Sequence, residues 1–368
     1  MPSATPNGRG IPSMHLSETV AGFAIGSTWT PSAAAGRSAL PSLLPSKRHR
    51  MSRLLRQLVL VLVFLASCGR PPRPEPPQSE FLKTPIALLV EQEISGRVLG
   101  KPLLRPFGLA TDARGAIYVC DAGNNRIVKL NPDLTADVEI GGFGTDEGAF
   151  NRPSFIVVDY DLNLLVSDEG NRRLCRYNSR LQFVEELAFY DDEDPLKFGY
   201  PSGVNLTDYG EVWVADRERN RIAVFDNVGT FDRFIGEFGY AGGQLLSPEK
   251  IVKNRRGGFI VCDAGNGRLV VYDEYGNFLR EISDNALDYP ISAASDNRGV
   301  WILDRSTGKI HLFNNGGRKV FQTGPILAGN GWALKEPSDI VILPDGRLMI
   351  SDSGNNRLLV CRILFEER

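Results

Sequence analysis

From about residue 100 onward, short apolar runs alternate with polar turns at a nearly fixed spacing. In the first unit the runs fall at residues 108–112, 117–120, 126–130 and 136–140. They are rich in β-branched and aromatic residues and are bounded by Gly, Asp and Asn, a pattern typical of strands joined by tight turns. No 3.6-residue periodicity appears. The pattern therefore predicts four short strands per unit.

Six copies of this unit follow one another, and each begins with a proline. An aspartate lies 15 residues after the proline in five copies and 14 residues after it in the fifth copy. A basic residue always follows five positions after the aspartate. The prolines are Pro106, Pro153, Pro201, Pro248, Pro290 and Pro337, and the pairs are Asp121 and Arg126, Asp168 and Arg173, Asp216 and Arg221, Asp263 and Arg268, Asp304 and Lys309, and Asp352 and Arg357. Units of about 47 residues with four strands each predict an all-β fold, a six-bladed β-propeller with four-stranded antiparallel blades.

The two ends of the repeat region predict how the ring closes. The last copy stops at residues 362–365, without room for its fourth strand, whereas a spare apolar segment lies before the first copy at residues 86–93. We expect this N-terminal strand to complete the sixth blade, because closure protects strand edges that would otherwise pair with other chains.

The recurring motifs resemble those of the NHL repeat family. Pro-x-Gly/Ser, Val-x-Asp and Gly-Asn-x-Arg recur in the same order over residues 81–368, as in Gly123-Asn124-Asn125-Arg126. Copy five departs most, since residues 304–309 lack the Gly-Asn turn. The resemblance implies the propeller fold. It says little about function, because propellers of this kind perform unrelated tasks.

The repeated Asp and Arg residues are interpreted as structural. A catalytic site occurs once, whereas a turn must be built in every blade. We expect each aspartate to accept backbone N–H bonds and to pair with the basic residue five positions on.

Histidine and cysteine limit the possible chemistry. His311 is the one histidine of the repeat region and aligns with apolar positions of the other copies, so it is interpreted as a packing residue. A three-histidine zinc site, as in the related peptide-amidating lyase, is therefore excluded. Four cysteines on second and third strands lack an obvious partner and are expected to be small buried hydrophobes: Cys120, Cys175, Cys262 and Cys361.

The positions that differ between copies cluster where the blade-to-blade connections and the turns after each aspartate meet, around the central channel. A mixed ring of arginine, tyrosine, glutamate and lysine could bind an anionic or sugar-like ligand through charge-assisted hydrogen bonds. A merely solvated rim is the alternative. The candidate residues are Arg105, Arg152, Tyr200, Arg217, Arg219, Glu249, Lys250, Tyr289 and Arg305.

The first 68 residues differ in character. Residues 1–50 are rich in Ser, Pro, Ala and Gly without periodicity, which predicts a disordered extension or a start codon placed too early. Residues 51–68 combine a short basic head, the apolar run 58–65 and Leu65-Ala66-Ser67-Cys68. This arrangement is similar to the signal peptide of bacterial lipoproteins and predicts lipidation of Cys68. An ordinary signal peptide and an apolar anchor are the alternatives for this segment, and a transit peptide is the alternative for residues 1–50.

Residues 69–80 contain five prolines and predict a stiff tether. The lipoprotein interpretation places the chain in the bacterial cell envelope, anchored by lipid, and Gly69 after the cysteine favours the outer membrane. The full chain has a net charge of −2. Removal of residues 1–68 takes away seven positive charges and one negative charge and leaves about −8, which argues against nucleic-acid binding.

Two functions are consistent with these features. The first is a tethered, monomeric binding scaffold for a protein, peptide or glycan on the channel face, with no cofactor and no metal. The second is a propeller enzyme of the lactonase or lyase type that uses a divalent metal at the channel mouth. Glu249 with Asn205 or Asp296 would then offer oxygen ligands to Ca²⁺.

Overall fold

The computed structural model describes residues 83–188, 199–324, 326–328 and 331–366. The predicted extension, signal peptide and tether, including Cys68, lie outside the described residues. Before the first blade come β1 (Pro85–Ile94) and the small hairpin of β2 (Arg97–Val98) and β3 (Lys101–Pro102).

The first three blades are four-stranded antiparallel sheets in which chain order is also spatial order. Blade one consists of β4 (Pro106–Thr111), β5 (Ile117–Asp121), β6 (Arg126–Leu130) and β7 (Ala136–Gly141). Blade two consists of β8 (Pro153–Val158), β9 (Leu164–Asp168), β10 (Arg173–Tyr177) and β11 (Phe183–Ala188). Blade three consists of β12 (Pro201–Leu206), β13 (Val212–Asp216), β14 (Arg221–Phe225) and β15 (Phe231–Ile235).

The remaining blades repeat this order, with a small hairpin before the last. Blade four consists of β16 (Pro248–Lys253), β17 (Phe259–Asp263), β18 (Arg268–Tyr272) and β19 (Phe278–Ser283). Blade five consists of β20 (Pro290–Ser295), β21 (Gly299–Asp304), β22 (Ile310–Asn314) and β23 (Lys319–Gln322). The hairpin of β24 (Ile326–Leu327) and β25 (Trp332–Ala333) precedes β26 (Asp339–Ile342), β27 (Leu348–Asp352) and β28 (Arg357–Phe365) of blade six.

The ring is closed, as the sequence predicted. The innermost strands β4, β8, β12, β16, β20 and β26 contact one another in turn, and β26 contacts β4. The sixth sheet has the order β1-β28-β27-β26, so the N-terminal strand supplies its outer edge. Its pairing runs from Pro85 opposite Phe365 to Ile94 opposite Leu358. The two ends of the propeller are thus joined by one antiparallel ladder.

The core lies between neighbouring blades. Six clusters of buried side chains each join adjacent sheets, and the indoles of Trp213 and Trp301 are fully buried. At the axis the blades approach so closely that a Cβ on Gly108 would lie 2.3 Å from the Ser154 carbonyl oxygen, and one on Gly203 would lie 2.3 Å from the Glu249 carbonyl oxygen. Only glycine fits at these two positions.

All four cysteines of the described residues are buried and free. Burial raises the pKa of the Cys175 and Cys361 thiols to about 12, so both remain protonated at neutral pH. Within the same residues no helix is long and apolar enough to cross a membrane.

The antiparallel pairing also defines one face of the ring. Pro106 at the start of β4 lies opposite Asp121 at the end of β5, and the same pairing recurs in blades two to five. The connections before each proline and the turns after each aspartate therefore share one end of the channel, which we call the upper face. The six prolines and six aspartates of the repeat mark it.

Candidate ligand-binding site at the channel mouth

Buried ion pairs hold the turns of the upper face. In blade two, the Asp168 carboxylate accepts hydrogen bonds from the Asn151 backbone N–H (2.7 Å), the Asn171 side chain (2.7 Å) and Arg173 Nε (2.9 Å). Each aspartate thereby fastens its turn to the connection that precedes its blade. The equivalent Asp and Arg atoms lie 2.7 Å apart in blades one and six and 2.8 Å apart in blade four.

A glutamate completes most of these clusters, and the sequence reasoning missed it. Arg173 Nη1 lies 2.6 Å from Glu186 Oε2, and Arg268 Nη1 lies 2.7 Å from Glu281 Oε2. In blade one Arg126 contacts Glu139 in the same way. These glutamates stand 13 residues after their arginines, a spacing that could have been found. In blade six the partner of Arg357 is Glu93 of β1, at 3.8 Å.

Blades three and five depart from this arrangement. In blade three, Arg221 lies 3.6 Å from Asp216, and its guanidinium stacks 3.5 Å from the centre of the Phe234 ring. In blade five, the expected pair of Asp304 and Lys309 does not form within 4.0 Å among the described residues, which corrects that prediction. The Asp304 carboxylate is already occupied by three backbone N–H groups. Lysine also lacks the forked donors with which arginine bridges two carboxylates.

Asparagine side chains link successive blades on the upper face. Asn125, Asn220 and Asn356 adopt left-handed backbone conformations, and each Oδ1 accepts a 2.8 Å hydrogen bond from the backbone N–H of the residue before the next blade's proline. The donors are Arg152, Ser247 and Arg105, which themselves have positive φ, as does Glu336. A left-handed residue before proline is uncommon.

Glu249 is a buried acid at the channel mouth that does not belong to the repeated turn pairs. It stands where three other blades have serine, and it is 1% exposed. Its Oε1 accepts a 2.9 Å hydrogen bond from the Tyr289 hydroxyl and lies 3.4 Å from Arg217 Nη1. Among the described residues, its Oε2 has no hydrogen-bond partner. Burial raises the pKa of this carboxyl above its usual value, and Arg217 opposes the shift.

Arg217 joins Glu249 to blade two. Its second terminal nitrogen contacts Glu169, and Arg152 Nη2 lies 3.6 Å from the same Glu169 oxygen. The Tyr200 ring is contacted by two guanidinium groups, those of Arg172 at 5.0 Å and Arg217 at 5.9 Å from its centre. Connections and turns of blades two to five are thus electrostatically coupled.

A second arginine pair lies on the opposite side of the mouth. Arg105 and Arg305 lie 3.0 Å and 3.7 Å from Glu336 Oε2, respectively, and come from blades one and five. The Arg305 guanidinium also lies 6.0 Å from the centre of the Phe107 ring. The Arg105 and Glu336 side chains are 56% and 47% exposed, so both are in contact with solvent.

Two of the predicted residues lie apart from this cluster. Lys250 pairs with the fully buried Asp339 of blade six, whose carboxylate also accepts hydrogen bonds from the Ser292 hydroxyl at 2.5 Å and the Leu109 backbone N–H at 2.7 Å. Lys250 therefore links blade four to blade six. Arg219 donates its backbone N–H to Asp216 within its own turn.

The oxygen ligands suggested for Ca²⁺ are not brought together. Asn205 is the fifth residue of β12 and donates a hydrogen bond from its side chain to the Ile251 carbonyl. Glu249, in contrast, is the second residue of β16. Asp296 follows β20 and bonds Arg298 and Trp301 at the other end of the channel. No group of three or more His, Cys, Asp or Glu side chains suited to a metal occurs among the described residues.

His311 is fully buried in β22, in agreement with a packing position. Neither ring nitrogen has a hydrogen-bond partner among the described residues. Burial lowers the pKa of the imidazole below 6.5.

Comparison with protein families gives one match in this region. Residues 198–225 match the NHL repeat. Among characterised proteins, the chain is 28% identical to Protein brain tumor of Drosophila melanogaster over 131 residues (35% of this chain) and 39% identical to the B-box type zinc finger protein ncl-1 of Caenorhabditis elegans over 121 residues (32% of this chain). It is 23% identical over 266 residues (70% of this chain) to the probable peptidyl-alpha-hydroxyglycine alpha-amidating lyase pgal-1 of C. elegans.

These matches span 13%, 14% and 64% of the relatives' own lengths, respectively. Solved structures agree on the fold. Streptogramin B lyase superimposes with a TM-score of 0.55 at 12% identity, over 74% of this chain and 97% of that one. The WD40 β-propeller domain of Doa1 gives 0.52 at 10% identity, over 70% and 78%. The proteins that this chain resembles thus include some named as lyases and others that are not.

Proposed function

We propose that the chain is an exported, membrane-tethered scaffold that binds a protein, peptide or glycan at the channel mouth of the upper face. Its structural turns use arginine and carboxylate in nearly every blade. The mouth instead carries charged residues that occur once each. Four arginines from blades one, two, three and five surround it, namely Arg105, Arg152, Arg217 and Arg305.

The observation that carries this proposal is the convergence of these unrepeated side chains. Arg217 bridges Glu169 and Glu249 from two neighbouring blades, and Arg152 shares Glu169 with it. Such contacts are not required by the repeat, since the other blades close without them. Guanidinium groups that keep exposed N–H donors are suited to recognising an anionic group on a partner.

Binding to arrayed peptides and glycans tests the proposal, with the full chain purified in mild detergent. The double variant Arg152→Gln with Arg217→Gln should lose about tenfold or more in affinity for any ligand bound at the mouth. The matched control is Arg256→Gln, which removes an exposed arginine from the β16–β17 turn at the other end of the channel. Equal losses in both variants would contradict a site at the mouth.

Tethering is a separate part of the proposal and rests on the sequence before residue 83. A lipid-modified Cys68 in the outer membrane would hold the propeller on a proline-rich tether. Metabolic labelling with palmitate should mark the wild-type chain, and Cys68→Ala should abolish both the label and membrane recovery. A labelled Cys68→Ala chain would exclude this cysteine as the anchor.

An enzyme of the lyase or lactonase type that uses a divalent metal is the second candidate. It is favoured by the unpartnered Oε2 of the buried Glu249 and by the similarity to an amidating lyase, whereas the described residues offer no group of three or more His, Cys, Asp or Glu side chains to a metal. Elemental analysis and thermal melting with Ca²⁺ or EDTA separate the two candidates. One bound divalent ion per chain that raises the melting temperature would support the enzyme, and Glu249→Gln should abolish that rise.

A further inference from the structure

We propose that the channel mouth binds acidic peptides, and that a peptide carboxylate replaces Glu336 between Arg105 and Arg305. This inference rests on the proposed binding function and adds the ligand class and an internal competitor. Glu336 lies in the connection before blade six, and its carboxylate is held by arginines from two other blades. It occupies the position that an external carboxylate would take.

The contact is weak enough to be displaced. Arg105 and Glu336 are each about half exposed, and Arg305 is 27% exposed and 3.7 Å away. Exposed ion pairs contribute about 0–1 kcal/mol. The pair of Glu249 with Arg217 differs, because Glu249 is buried and also accepts the Tyr289 hydroxyl. Glu336 is therefore the carboxylate that a ligand can replace.

The backbone of Glu336 is also less restrained than its counterparts. Arg105, Arg152 and Ser247 share its positive φ, and each donates its N–H to an asparagine of the preceding blade. The residue at the corresponding position before Glu336 is Gly308, which has no side chain to accept such a bond. The connection that carries Glu336 therefore lacks the asparagine hydrogen bond that holds the other three connections in place.

The arrangement of aromatic rings favours a peptide over a glycan. Sugars bind proteins by laying a face against an open aromatic ring, but the Tyr200 ring is contacted by Arg172 and Arg217, and the Phe107 ring by Arg305. The Tyr289 hydroxyl is engaged by Glu249. What the mouth offers is a set of guanidinium donors, which match the carboxylates of aspartate and glutamate side chains.

The experiment measures binding of a fluorescein-labelled peptide with four consecutive glutamates flanked by glycines, by fluorescence anisotropy with the full chain. Glu336→Gln removes the internal competitor and should tighten binding about fivefold, the equivalent of about 1 kcal/mol. Arg305→Gln should weaken binding about tenfold. Adding Glu336→Gln to Arg305→Gln should then give a smaller gain than Glu336→Gln gives in the wild-type chain, because only the contact with Arg105 remains to be released.

Glu147→Gln is the matched control. It removes the same charge from an exposed glutamate in the connection between blades one and two, on the same face, and should change affinity less than twofold. If Glu147→Gln and Glu336→Gln tightened binding equally, the gain in affinity would come from the change in net charge alone, and that result would overturn the inference. So would tighter binding of a labelled oligouridylate than of the peptide, or no peptide binding. If an arrayed glycan then binds in an Arg217-dependent manner, the proposed function survives while this inference fails.

Discussion

Asp168 and Glu169 are neighbours in the sequence but belong to two different systems. Asp168 is fully buried and receives three hydrogen bonds that tie its turn to the preceding connection and to Arg173. Glu169 begins the turn itself and contacts Arg152 and Arg217 of two other segments. The first arrangement is repeated around the ring, whereas the second occurs once. Repetition and burial together separate carboxylates that build the fold from those available to a ligand.

The same distinction extends to the arginines. Arg126 and Arg173 are 1% and 2% exposed in side-chain terms, and each bridges two carboxylates of its own blade. Arg105 and Arg152 are 56% and 61% exposed and contact carboxylates beyond their own strands. Buried partners cannot be exchanged without leaving a charge unpaired, which is costly. Exposed partners can be exchanged for those of a ligand.

Removal of β1 should have the largest effect, because it takes away both an edge strand and the glutamate of the sixth cluster. A chain lacking residues 83–95 exposes the backbone of β28 and loses the contact of Glu93 with Arg357. We expect it to unfold or to form oligomers through the open edge. Circular dichroism melting and light scattering measure this. A monomer with an unchanged melting temperature would contradict closure by β1. Glu93→Gln alone should cost less than about 1 kcal/mol.

The neighbouring pair provides the sharpest test of the comparison. Asp168→Asn leaves Arg173 buried beside a neutral amide and should lower the free energy of unfolding by about 3 kcal/mol or more. Glu169→Gln should lower it less, by about 1 kcal/mol, because Arg152 is largely exposed and Arg217 keeps its contact with Glu249. Urea denaturation of both variants checks the difference. Similar losses would show that the mouth contacts also hold the fold together.

The fold could be predicted from the sequence because its determinants are local and repeated. Pro106 and Asp121 are paired across one hairpin, and the regular step between such residues gives the strand count and the number of blades. Closure followed from a missing strand at one end and a spare one at the other. The third member of the turn clusters, such as Glu186 opposite Arg173, was also present as a fixed spacing but was not recognised.

The channel mouth could be predicted only as a set of positions. The partners are far apart along the chain: Tyr289 lies 40 residues from Glu249, and Arg105 lies 231 residues from Glu336. Which of them meet depends on the closed ring and on side-chain length. Lys250 shows this, because it reaches Asp339 two blades on. A single sequence contains no local signal for such contacts.

His311 should give the smallest effect, one that depends on pH. Carboxylates and ammonium groups of nearby segments, Asp284, Asp304, Lys309 and Lys319, act on its imidazole electrostatically, but burial dominates and lowers its pKa below the unfolded value of 6.5. The folded state therefore favours the neutral ring. Above pH 6.5 the contribution of His311 to the free energy of unfolding does not change with pH. Below pH 6.5 the unfolded state binds the proton first, so the free energy of unfolding falls as the pH falls.

Replacement of this histidine by an apolar side chain isolates its titration. Other blades have Val128, Val270 or Leu359 at the equivalent position, so His311→Leu should fold and should lose part of the decline in unfolding free energy between pH 6.5 and 5. The difference in slope cannot exceed about 1.4 kcal/mol per pH unit for one proton. Urea denaturation at several pH values measures it. Parallel curves for wild type and His311→Leu would mean that the imidazole keeps its ordinary pKa in the folded state.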